Sequence, residues 1–114
     1  MLIVTVEVVF AEDIIEGARE AFRIMDEETA KEPGCLKYVS SVDVNDPKIV
    51  RIYEMWNSME SLKPHFETPQ MADFQRALSQ FPTASMEAKV YEIGSELPFP
   101  NQAPSDNRQQ IHGK

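Results

Sequence analysis

One cysteine, Cys35, and two histidines, His65 and His112, are all that these 114 residues offer to a disulfide or a soft metal. A single thiol excludes an internal disulfide and any cysteine-rich metal site, and it fits a reducing cytoplasm. The two histidines lack metal-binding spacing, and no strand–turn–helix nucleophile elbow is present. Only four glycines occur, none in a suitable run, so no phosphate-cradling loop can be drawn. Basic residues are few and scattered: eleven against nineteen acids, for a formal charge of −8. That balance repels nucleic acid and an anionic membrane surface alike. Long apolar runs are missing as well. Val8–Ala11 falls far below the ~20 residues of a spanning helix, and nothing resembles a secretory signal. Metal, nicotinamide and covalent-nucleophile enzymes are therefore disfavoured, short of a site assembled in three dimensions.

What is present is a folded globule, with 42% apolar and 26% charged residues. At this length about two thirds of the unfolded surface is buried on folding, enough for one modest core. Residues 2–10, LIVTVEVVF, are β-branched and apolar on both faces, the mark of a central strand. The period then changes to 3.6: Ile14, Ala18, Ala21, Phe22 and Met25 form one stripe, which predicts an amphipathic helix over 12–32. Pro33-Gly34 stops it. Leu36–Asp43 and a run centred on Val50, Ile52, Glu54 and Trp56 alternate as strands, and the turn signature Asn45-Asp46-Pro47 between them makes an antiparallel hairpin. A short helix over 58–66 is expected behind an Asn57 cap, with Glu60 as its reciprocal partner. Thr68-Pro69 opens another helix, with Met71, Phe74 and Leu78 on its buried stripe. Ser85–Ile93 closes the series as a strand.

The order strand, helix, strand, strand, helix, strand is that of an α+β, ferredoxin-like βαββαβ subunit, with the first and third strands central. Residues 1–94 form this domain. Residues 95–114 are a polar, proline-containing tail in which only Leu97, Phe99 and Ile111 are bulky and apolar. Helices can cover only one face of such a sheet, and the other carries half of the β-branched side chains. A homodimer that buries this face sheet-to-sheet is the expected solution.

His65 is the side chain best suited to shuttle a proton near neutral pH, at the end of the short helix and facing a cavity between helix and sheet. The alternative is a helix-end histidine satisfying orphan carbonyls. Glu54 and Glu7 each interrupt an otherwise apolar strand. Such a carboxylate must be paired, solvated in a cavity or raised in pKa, with a salt bridge to Arg51 or Lys89 as the plain option. Trp56, Tyr53, Tyr38, Phe22, Phe74 and Phe81 are core residues by default, and together they could also line a flat aromatic pocket.

Glu32-Pro33-Gly34-Cys35 leading into a strand, Tyr53-Glu54-Met55-Trp56, Ser61-Leu62 with His65, and Thr68-Pro69 with Phe74 resemble the antibiotic biosynthesis monooxygenase family over residues 1–94. The resemblance implies ferredoxin-like subunits forming a dimeric α+β barrel, each with a pocket between sheet and helices. It implies a cofactor-independent monooxygenase acting on a small aromatic molecule (a quinol, phenol or anthrone) with O2. His65 and Glu54 would be catalytic, and Trp56, Tyr53, Phe74 and Phe22 would hold the substrate. No cofactor is implied; haem is the lesser alternative, since neither the distal asparagine nor the axial histidine of the haem-degrading members is matched. Gln70 stands where many relatives carry a second histidine. An isomerase using the same pocket and a non-catalytic binding domain are the competing readings.

Overall fold

β-branched residues on both faces of the first segment give β1 (Leu2–Phe10), the strand on which the rest assembles. In the computed structural model, which describes residues 1–101, α1 (Ile15–Thr29), β2 (Cys35–Val42) and β3 (Ile49–Trp56) follow. Next come α2 (Met59–Leu62), a 3₁₀ turn (Lys63–Glu67), α3 (Pro69–Leu78) and β4 (Thr83–Glu92). None of the described helices is long and apolar enough to cross a membrane.

All pairings are antiparallel, in the order β2-β3-β1-β4, so β1 and β3 are central as expected. The ferredoxin-like topology holds, but the barrel does not. The sheet is open, and its edges β2 and β4 are kept apart by the two central strands. A four-stranded sheet is half the strand number of even a small closed barrel.

The helices pack on one face. Phe10, Ile14, Ala18, Phe22, Met25, Tyr38, Val50 and Ile52 make the larger core, and Leu2, Val4, Trp56 and Leu62 the smaller. Phe22 of α1 meets Phe74 of α3 edge-to-face at 5.1 Å, which ties the two long helices together. On the opposite face Arg51 bonds Glu7 at 2.8 Å and Asp43 at 2.7 Å, so Glu7 is an ion-pair residue.

Three local departures from the sequence reading have physical causes. The first helix is shorter than 12–32. Asp13 Oδ1 accepts the Ile15 amide at its start, and beyond Thr29 the chain tightens into i→i−3 bonds ahead of Pro33. The cap of α2 is Ser58 with Ser61 as reciprocal partner; Asn57 lies in the bend after β3, its backbone amide on the Gly34 carbonyl at 2.8 Å. In β2, Cys35 pairs with Trp56 and Lys37 with Met55, so Leu36 is bulged out and exposed, off the face of Tyr38. Of the tail 95–114, residues 102–114, with Pro104, Ile111 and His112, lie outside the described residues.

Candidate functional site

Strand parity on β3 turns Val50, Ile52, Glu54 and Trp56 toward the helices and Arg51, Tyr53 and Met55 away from them. Glu54 is thereby buried (5% exposed) opposite Val4 on β1 and Tyr38 on β2. A carboxylate in such a place needs a donor, and Trp56, two residues along on the same face, supplies one: its Nε1–H donates to Glu54 Oε1 at 2.8 Å. Burial pushes the Glu54 carboxyl above its ordinary pKa; the indole bond and the nearby His65 pull the other way. Tyr38 is pushed up too, first by burial and then by the Glu54 and Asp26 charges.

His65 arrives from the 3₁₀ turn. Pro64 is the second residue of that turn, and Thr68 ends it by donating its hydroxyl to the His65 carbonyl at 2.9 Å while capping α3 through the Met71 amide. The imidazole is 1% exposed, with ring centroids 5.2 Å from Trp56, 5.6 Å from Tyr38 and 5.3 Å from Phe66. Its Nδ1 lies 2.9 Å from Glu32 Oε2, which also accepts from Gln70 Nε2 at 2.7 Å. The ring therefore bonds a carboxylate, where a helix-capping histidine would bond a backbone carbonyl.

Between the sheet and α1, the 3₁₀ turn and α3 lies a cavity of about 490 Å³, within the usual range for small-molecule sites. Its walls are apolar: valines 4, 6 and 8 of β1, Ile52, and Met71, Phe74 and Leu78 of α3. Phe22 joins them from α1, and Glu54, His65 and Tyr38 cluster as its ionisable groups. It opens along β4, where Met86, Ala88 and Val90 line it and remain exposed.

Of the six side chains expected at the site, His65, Glu54, Phe22 and Phe74 line this cavity. Trp56, fully buried, stands behind Glu54 and His65 and does not reach the cavity wall. Tyr53 is brought to the opposite face of the sheet and stays apart from the others. Tyr38, one of the aromatic residues expected to line a pocket, is in the wall, whereas sequence reasoning missed Glu32 as a partner of His65, and nothing local marks it. Among the described residues, no group of three or more His, Cys, Asp or Glu is placed to hold a metal ion.

The sequence profile described as antibiotic biosynthesis monooxygenase matches residues 1–77. Among solved structures, a Deinococcus radiodurans protein superposes with a TM-score of 0.78 at 22% identity, covering 87% of this chain and 98% of that one. A Nitrosomonas europaea protein gives 0.75 at 22% identity over 81% of this chain and 97% of its own. A third, described as an antibiotic biosynthesis monooxygenase, gives 0.76 at 22% identity over 83% and 100%. At these identities the likeness is one of fold. An uncharacterized protein of Synechocystis sp. is 28% identical over 67 residues, 59% of this chain, and the chain spans 46% of that relative's length.

Proposed function

The chain belongs to the antibiotic biosynthesis monooxygenase family, and from that premise we propose that it is a cofactor-independent monooxygenase oxidising a small aromatic phenol, quinol or anthrone with O2. The observation that carries the reading is the apolar cavity of about 490 Å³ with an imidazole and a carboxyl both in its wall. No lysine or arginine is among the lining residues, so the cavity suits a flat, weakly acidic molecule better than a phosphate or carboxylate.

His65 takes the acidic proton of the bound phenol or enol, and the Glu54 carboxylate stabilises the imidazolium that forms. The electron-rich anion passes one electron to O2, giving a carbon-centred radical and superoxide, and the two recombine as a C–O bond. Cleavage of the O–O bond leaves one oxygen on carbon and releases the other as water. For an anthrone the balance is CH2 + O2 → C=O + H2O, with all four electrons supplied by the substrate. Phe22 and Phe74 orient the ring, and the dry walls shield the intermediates.

A homodimer is part of the same proposal. Both faces of β4 are exposed in the single chain, with Met86, Val90 and Tyr91 among its large apolar side chains, and a second copy is the partner that would cover them. The single cysteine supports a reducing, cytoplasmic setting.

Oxygen uptake against a panel of hydroquinones, polycyclic phenols and anthrones tests the reading. Uptake by the native protein that His65→Ala lowers by about 10²-fold or more supports it. Ligand binding without oxygen uptake across the panel overturns it, in favour of an isomerase or a binding protein.

A further inference from the structure

We propose that Glu32, itself held by Gln70, is a positioning residue that keeps the His65 imidazole with its proton on Nδ1, leaving Nε2 bare to take the substrate's proton. The proposal rests on His65 being the base, and it adds the group that makes one ring nitrogen a base and the other a donor.

Three separate elements converge on one carboxylate oxygen. Glu32 sits in the turn after α1, His65 in the 3₁₀ turn and Gln70 in the first turn of α3, and Glu32 Oε2 lies 2.9 Å from His65 Nδ1 and 2.7 Å from Gln70 Nε2. A carboxylate only accepts, and a side-chain amide nitrogen only donates. Nδ1 must then carry the hydrogen that fills the contact, and the neutral ring is left with an unprotonated Nε2. An unrestrained neutral imidazole prefers the opposite arrangement, so the carboxylate inverts the ring's own preference. Water competes little for the pair: the His65 side chain is 1% exposed and that of Glu32 12%.

Both ends of the pair are pinned from behind. Gly34, two residues after Glu32, has φ of +84° and sits so close to α2 that an added Cβ would lie 2.3 Å from Ser61 Cβ. The Asn57 amide bonds the Gly34 carbonyl at 2.8 Å. At the other end Thr68 holds the His65 carbonyl at 2.9 Å. The Glu32 turn and the histidine turn thus cannot drift apart without breaking backbone contacts. Gln70 therefore serves as the second anchor of Glu32, which accounts for an amide at this position.

Two-bond 1H–15N correlation of the histidine rings in the full-length protein, with His65 assigned by its loss in His65→Ala, reads the tautomer directly. The native spectrum should show Nδ1 protonated and Nε2 unprotonated when the ring is neutral. Glu32→Ala should move the proton to Nε2 and lower kcat by about 10²-fold at little change in KM. Glu32→Gln, which keeps an acceptor oxygen, should recover part of both, and Gln70→Ala should shift the tautomer ratio in the same direction as Glu32→Ala but less. A native ring protonated on Nε2, or a tautomer ratio indifferent to both Glu32 variants and to Gln70→Ala, overturns the proposal. Should His65→Ala retain full turnover, the base reading falls on that result alone, and the tautomer spectra still decide what Glu32 does to the ring.

Discussion

Replacing Trp56 with phenylalanine removes the indole N–H on which Glu54 depends and leaves an aromatic ring in the core. Both partners are buried and the bond is 2.8 Å long. A hydrogen bond to a charged group contributes about 1.5–3 kcal/mol. The smaller ring adds a void of roughly 40 Å³, which at the usual cavity coefficient costs about 1 kcal/mol. Together these give about 3 kcal/mol at neutral to alkaline pH, a fall in Tm of roughly 12 °C or more for a domain of this size. The effect also has a direction in pH. Burial raises the Glu54 carboxyl in the folded protein above the ordinary glutamate value, so its contribution to stability is fully present below that ordinary value. It is lost as pH rises through the folded pKa. Trp56 limits that loss by favouring the ionised form. Trp56→Phe should therefore be more destabilising at pH 8 than at pH 4, by about 1 kcal/mol, the difference between a charged and a neutral hydrogen bond. Urea unfolding at the two pH values measures this, and the pH difference should vanish when both proteins also carry Glu54→Gln. A flat pH dependence, or a total below about 1 kcal/mol, would refute the coupling of Trp56 to an ionising Glu54.

Gly34→Ala forces a left-handed alanine against Ser61. It should destabilise by about 1–2 kcal/mol from the backbone and about 1–3 kcal/mol from overpacking, seen as a lower urea midpoint with an unchanged m-value. Ala88→Phe fills the open side of the cavity, so it should abolish binding of an aromatic ligand in calorimetry. Met86→Lys with Val90→Lys should move sedimentation at micromolar concentration toward the 13.0 kDa species. If the native chain already sediments at that mass, the dimer proposal is wrong.

Much of the fold could be read from the chain because its signals are local. The strand period of residues 2–10 marks β1, the apolar stripe from Ile14 to Met25 marks α1, and Thr68-Pro69 marks the start of α3. Errors arose where a single residue decides between neighbours. The cap falls one residue later than Asn57, on Ser58, whose hydroxyl accepts the Ser61 amide, and the Leu36 bulge cannot be seen without its partner strand. The parity that puts Glu54 and Trp56 toward the helices also sends Tyr53 to the other face, so its separation from the cavity was legible in the alternation itself. The barrel failed for a different reason: edge pairing is a property of the assembled sheet, and four strands leave β2 and β4 unpaired with each other. Glu32 was invisible as a site residue because it meets His65 across 33 positions of chain, through a turn whose geometry depends on Gly34 and Ser61.

In the proposed reaction His65 removes a proton from a phenol held in the cavity between sheet and helices, with Glu54 in the same wall. Anaerobic mixing of the protein with an anthrone or polycyclic phenol, at a pH below the free ligand's own ionisation, tests it before any oxygen chemistry can intervene. The bound ligand should show the absorption of its anion with the native protein and that of the neutral form with His65→Ala. A neutral spectrum on the native protein, or the same anion band on His65→Ala, would contradict it.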